Sequence, residues 1–185
     1  MSDLWVFGYG SLMWQPGFRF VEQSAAVLRG AHRALCIYSW VHRGTRERPG
    51  LVLGLDRGGS CRGVAYRVAA ADRDPVVHYL RERELVTDDY REVERTIVLP
   101  SGPVTALAYV VDRRHTQYAG VLPRDELLRL VRDSSGRSGT NADYVTNTVA
   151  HMRAVGIRDA TLEWLADNLA SQDQPTRTLG GQRPG

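Results

Sequence analysis

A chain of 185 residues is long enough to bury a sizeable core and fits one domain. Its composition, 43% hydrophobic and 24% charged with a formal net charge of +3, is that of an ordinary globular protein. There is no lysine, and the arginines are scattered among 21 acids rather than gathered in a stripe, which argues against a nucleic-acid partner. No run approaches the ~18 apolar residues of a membrane span, and no basic segment precedes an apolar signal core, so no membrane partner and a cytoplasmic location are expected.

The first predicted strand covers residues 4–9 and runs into Gly8-Tyr9-Gly10-Ser11 before the chain turns apolar again at Leu12-Met13-Trp14. A hairpin turn would place Asn-Gly or Asp-Gly between alternating strands. A P-loop needs Gly-Lys-Ser/Thr, which a chain without lysine lacks. A dinucleotide fingerprint would require glycine where Met13 stands. The nucleophile elbow Gly-x-Ser-x-Gly fails as well, because Tyr9 and Met13 flank Ser11 at the glycine positions. Two readings survive. Small residues expose backbone N–H groups as a nest for a carboxylate, or glycine simply bends the chain between barrel strands.

Strands are next predicted at 23–29, 32–39, 51–56 and 60–68, the last with Val64, Tyr66 and Val68 at period two. The segment 40–50, WVHRGTRERPG, is a basic loop without periodicity. Cys36 and Cys61 sit on separate strand-like segments without a close-spaced partner and are expected to be half-buried structural thiols, neither disulfide-bonded nor metal-bound. The five histidines show no His-Glu-x-x-His or paired spacing, so neither a metal nor a cofactor is expected.

A helix is predicted over 75–86, with Asp74 as N-cap and Pro75 at the first helical position. At about 100° per residue, Val76, Val77 and Leu80 define an apolar arc. Glu84 projects into the middle of that arc, whereas Glu82 points away with His78. A carboxylate on a buried stripe must be solvated by a cleft, paired, or protonated, because bare burial costs several kcal/mol. The helix C-terminus raises its pKa further. A half-desolvated glutamate suits general acid–base chemistry; a structural ion pair with Arg83 or Arg91 accounts for it equally.

Strands at 91–99 and 104–111 form a hairpin through Pro100-Ser101-Gly102-Pro103. Helices follow at 123–133, from Asn141 to Gly156, and at 160–170. The stretch 171–185 is expected to be a disordered tail, leaving one domain over 1–170. Short strands followed by helices predict an α+β fold, a small curled sheet or β-barrel flanked by helices.

VFGYGSLMW and YLRERELVTDDY together resemble the ChaC group of γ-glutamylcyclotransferases, supported by HRGTRERPG, GVAYRV at 63–68, YAG at 118–120 and GRSGTNADYV. The similarity covers about residues 4–165. It implies a small barrel flanked by helices and cleavage of glutathione, a small-molecule substrate, to 5-oxoproline and cysteinylglycine without cofactor or metal. It implies that the loop Val6, Phe7, Gly8, Tyr9, Gly10, Ser11 and Leu12 binds the γ-glutamyl end, and that Glu84 of RERE, not Glu82, is catalytic. On that basis Tyr90 and Tyr118 join Tyr9 as pocket walls or hydroxyl donors, though core packing would explain all three. Arg43 and Arg48 are candidates for the substrate's distal carboxylate, with a solvated loop as the alternative. Thr45-Arg46-Glu47-Arg48 stand where the family carries more neutral residues. Other γ-glutamyl amines as substrates, or non-catalytic γ-glutamyl binding, are the rival functions.

Overall fold

The computed structural model describes residues 2–85 and 89–171. Five strands, β1 (Leu4–Gly8), β2 (Glu22–Ser39), β3 (Gly50–Val68), β4 (Tyr90–Leu99) and β5 (Gly102–Val111), form a closed barrel in the order β1-β3-β2-β4-β5. Neighbours run antiparallel except where the barrel closes: β1 lies parallel to β5, with Trp5 opposite Ala106 and Val6 opposite Leu107. Helices α1 (Arg73–Glu84), α2 (Arg124–Asp133), α3 (Asn141–Ala154) and α4 (Ala160–Ala170) complete the α+β fold. None of the described helices is long and apolar enough to cross a membrane.

Two pairs of predicted strands turn out to be single long ones. The segments 23–29 and 32–39 are both β2, and 51–56 and 60–68 are both β3. Their shared ladder shifts register between Arg29 and Ala31, where Gly30 (φ 84°) faces Gly58 (φ 99°) and Gly59 (φ 69°). Left-handed glycines bend the ribbon without ending it, so a local glycine signal read as a break is a bulge.

The predicted start of α1 is also corrected. A 3-10 turn at Ala70–Asp72 feeds directly into the helix, Asp72 is the N-cap residue without a side-chain cap bond, and Asp74 and Pro75 lie inside the first turn. Helix α4 matches its expected bounds, with Asp159 accepting hydrogen bonds from the N–H groups of Thr161 and Leu162. Of the expected tail, only Ser171 falls within the described residues.

Strand β1 is buried on both faces, which fixes the loop that follows it. Val6 packs with Leu4, Val76, Leu80 and Leu107 beneath α1, while Phe7 enters the main core shared by the barrel and α2, α3 and α4. Leu80 is wholly buried and Val76 nearly so, each contributing about 1.5–3 kcal/mol to docking α1 on the barrel. Cys36 and Cys61 are fully rather than half buried, at 1% exposure each. Cys36 lies within β2 and Cys61 within β3, each packed in a buried apolar cluster, and burial pushes the Cys36 thiol up to about 12 and Cys61 upward as well.

Candidate active site

Beyond Gly8 the chain makes one 3-10 turn, Ser11–Met13. Met13 N–H donates to Gly10 O at 2.9 Å, and Gln15 N–H to Ser11 O at 2.8 Å. The N–H groups of Ser11 and Leu12 precede the first of these bonds and lie outside that pattern. Three side chains anchor the turn. Buried Arg33 donates from Nε to Tyr9 O at 2.6 Å and from Nη2 to Arg62 O at 2.8 Å. Tyr66 donates its hydroxyl to Met13 O at 2.7 Å. Arg83 reaches across from α1, donating to Ser11 Oγ and Gln15 O, both at 2.8 Å.

The two glycines serve different ends. A Cβ on Gly8 would stand 3.1 Å from Leu12 Cβ and 3.3 Å from Met13 N, so the absence of a side chain lets the turn fold back on the strand. Gly10, at φ −126°, needs no left-handed backbone, and a Cβ there would meet only Leu53 Cδ1, at 3.8 Å. It leaves open space in the cavity instead.

Glu84 is the last residue of α1, and its side chain is 17% exposed. Glu82, at 69% exposed, pairs with His78 at 3.3 Å on the solvent side, as helix phase requires. Glu84 lines a cavity of about 80 Å³ with Tyr9, Gly10, Ser11, Leu12, Leu53, Tyr90 and Tyr144. Burial raises its carboxyl above the ordinary range; the Arg83 guanidinium, with Nε 3.2 Å from Oε1, pulls the other way, and Asp89 pushes it up again. The ion pair weighed from sequence therefore exists, and the carboxylate faces the cavity all the same.

Two tyrosines bracket Leu53. Tyr90 donates its hydroxyl to Leu53 O at 2.6 Å, and the Tyr144 hydroxyl accepts from Leu53 N–H at 3.1 Å. Burial pushes Tyr9 and Tyr90 well upward and Tyr144 to about 12, so all three hydroxyls keep their protons, and Glu84 is the one carboxyl in the cavity lining. Leu53 requires such partners because β3 pairs with β2 on one side while its pairing with β1 begins only at Val64. One turn away, Asn141 covers the same free edge: its Oδ1 accepts from Leu51 N–H at 2.7 Å and its Nδ2 donates to Leu51 O at 2.8 Å.

Of the residues singled out from sequence, Gly8, Tyr9, Gly10, Ser11, Leu12, Glu84 and Tyr90 come together here. Val6 and Phe7 are wholly buried, and their side chains belong to the core. Tyr118 does not line this cavity: its hydroxyl donates to buried Asp56 at 2.8 Å and accepts from Arg113 at 2.9 Å. Arg43 is committed to the carbonyls of Ser138 and Thr140 and lies over the Tyr144 ring. Arg48 lines a separate cavity with Glu126 and Arg129. Leu53, Tyr144 and Arg33 carried no expectation from sequence, and Arg83 was expected only as an ion-pair partner of Glu84, not as a brace for the glycine turn. For Tyr144 the one available signal was its place in GRSGTNADYV.

The closed five-stranded barrel flanked by helices has the fold of a γ-glutamyl cyclotransferase. The crystal structure of a γ-glutamyl cyclotransferase specific to glutathione from yeast superposes with a TM-score of 0.79 at 21% identity, covering 94% of this chain and 100% of that one. The chain belongs to the ChaC-like protein family, whose profile matches residues 4–172. It is 34% identical over 188 residues to the glutathione-specific γ-glutamylcyclotransferase of Escherichia coli K12, covering 100% of this chain and 80% of that protein. Identity is also 34% over 171 residues to glutathione-specific γ-glutamylcyclotransferase 1 of Mus musculus, covering 89% and 77%.

Proposed function

We propose that this protein is a glutathione-specific γ-glutamylcyclotransferase, cleaving glutathione to 5-oxoproline and cysteinylglycine, with Glu84 as its proton shuttle. The observation that carries the role of Glu84 is its desolvated carboxylate in a small cavity bounded by the glycine turn and three neutral tyrosines. The substrate's α-carboxylate rests on the N–H groups of Gly10, Ser11 and Leu12. Glu84 takes a proton from the α-ammonium, and the freed amine attacks its own γ-carbonyl carbon. The new C–N bond closes the five-membered lactam. As the old amide C–N bond breaks, Glu84 returns its proton to the departing nitrogen. It then takes the second proton shed by the lactam nitrogen and passes it to the released amine, which leaves as an ammonium, so protons balance and no water is consumed. Attack within one molecule leaves the protein to hold a folded conformer and shuttle protons, a role worth about 10²–10⁴ in rate.

The active unit is one domain over residues 1–170, supported by a core that joins barrel residues to those of α2, α3 and α4. Its working compartment is the cytoplasm, where thiols such as Cys36 and Cys61 stay reduced.

Glu84→Gln tests the assignment. The amide is nearly isosteric, so the fold and substrate binding should persist while 5-oxoproline formation, followed by mass spectrometry, falls by at least about 10². Because the folded state holds the Glu84 carboxyl above its ordinary pKa of 4.5, that group favours folding below the unfolded pKa and loses this as pH rises through the folded value. Glu84→Gln should therefore melt higher than the parent at neutral pH and alike in acid. Parent-like turnover by the glutamine variant would remove Glu84 from the mechanism.

A further inference from the structure

The 80 Å³ cavity beside the glycine turn is far too small for a tripeptide; sites for small organic ligands span about 300–1,000 Å³. A second cavity of about 560 Å³ shares Glu84 and Tyr90 with it. If the γ-glutamyl end occupies the small cavity, the scissile amide lies at Glu84 and the leaving half must extend into the larger one.

Four basic side chains line that larger cavity: Arg46, Arg83, His42 and His115. Three are already engaged. Arg83 binds the glycine turn and Glu84. His42 Nδ1 is 2.9 Å from Ser138 Oγ, and His115 Nδ1 accepts from Gln117 N–H at 3.3 Å. Arg46 is different. Its guanidinium lies over the Trp40 ring, 4.4 Å from the centroid. Hydrogen bonds first, and the Arg46 charge after them, lower the carboxyl of exposed Glu47 beside it, but Arg46 makes no ion pair with any described residue. A guanidinium held over an aromatic ring makes no hydrogen bond there, so its N–H groups stay available, and two of them match a carboxylate in bidentate fashion. Stacking also orders a long side chain in advance, which lowers the entropy lost when it binds.

We propose that the larger cavity binds the leaving half of the substrate and that Arg46, held on Trp40, recognises its terminal carboxylate. This rests on the cyclotransferase reading of Glu84. It makes Arg46, rather than Arg43 or Arg48, the residue that separates a peptide with a free C-terminal acid from γ-glutamyl amines without one.

The test compares glutathione with its glycinamide analogue, in which the terminal carboxylate is neutral. The parent should prefer the acid in kcat/KM by about ten- to a hundredfold, the range for a charge-assisted pair. In Arg46→Gln this ratio should collapse towards one, with the loss on glutathione carried by KM. Arg48→Gln, on the neighbouring cavity, should keep the parent's ratio. Binding of glutathione is measured separately by calorimetry in a Glu84→Gln background, with and without Arg46→Gln, so a silent active site still decides the question. Weaker binding only when Arg46 is replaced supports the proposal even if Glu84 proves not to be catalytic. An unchanged ratio and unchanged binding in Arg46→Gln overturn it, as does an equal loss on acid and amide.

Discussion

Arg83 joins the two halves of the cavity, and replacing it with leucine separates their contributions. The substitution removes hydrogen bonds to Ser11 Oγ and Gln15 O at 2.8 Å and to Tyr79 Oη at 3.1 Å, together with the ion pair to Glu84. Each bond from a charged donor is worth about 1.5–3 kcal/mol when buried. The side chain is 22% exposed, so water replaces part of that, and about 2–4 kcal/mol is expected to be lost. For a chain of this length the Tm should fall by roughly 5–15 °C. The kinetic consequence is more specific. Glu84 faces Arg83, Asp89, Tyr9, Tyr90 and Tyr144, and only Arg83 among these favours its charged form. Without the guanidinium the carboxyl pKa climbs further, so the acid limb of the kcat/KM profile should move to higher pH. Arg83→Lys restores the charge but not the fork that reaches both Ser11 and Gln15. It should return the acid limb towards the parent's position while kcat/KM at the plateau stays low, because a turn displaced by ~1 Å costs on the order of 10². Thermal melts and pH–rate profiles of the three proteins decide it. An acid limb that does not move in Arg83→Leu would refute the electrostatic coupling, whatever happens to Tm.

The glycine turn makes a paired prediction: Gly8→Ala should destabilise by about 1–3 kcal/mol through overpacking against Leu12, whereas Gly10→Ala should melt like the parent and Gly10→Val should raise KM by filling the cavity. Equal melting of the Gly8 and Gly10 alanine variants would contradict the contacts described. Asn141→Ala leaves Leu51 N–H and O without partners at a fully buried position; at about 1–3 kcal/mol per group it should cost roughly 2–5 kcal/mol in urea unfolding, and a loss under ~1 kcal/mol would show that water takes over the edge. Ser11→Ala gives up only the Arg83 contact, an exposed bond that water partly replaces, so about 0.5–1.5 kcal/mol, and should keep most of kcat; a dead but folded variant would point to a serine nucleophile instead.

Several features were decided locally and could be read from the chain. The phase of α1 placed Glu84 on the buried side and Glu82 in solvent, because helical period depends only on spacing. Elimination reduced the glycine turn to two readings, and strand alternation marked most of the barrel's residues. What the chain could not reveal was which distant groups meet. Nothing in the run of alternating residues says that β1 closes the barrel parallel to β5, or that β2 continues through Gly30. Those outcomes depend on register between strands far apart in sequence, which global burial selects. The same limit applies to side chains. Arg33, Arg43, Arg46, Arg48 and Arg83 look alike in a lysine-free chain, yet one braces the turn, one ties down a loop, one stacks on Trp40, one faces another cavity and one joins α1 to Ser11. Tyr144, for which nothing was expected, stands in the cavity where Tyr118 was expected, for a similar reason: Asp56 and the open edge of β3 are met only after the ribbon has folded. Local periodicity settles which face a residue takes, whereas a long polar side chain finds its partner only through the tertiary structure that brings donor and acceptor together.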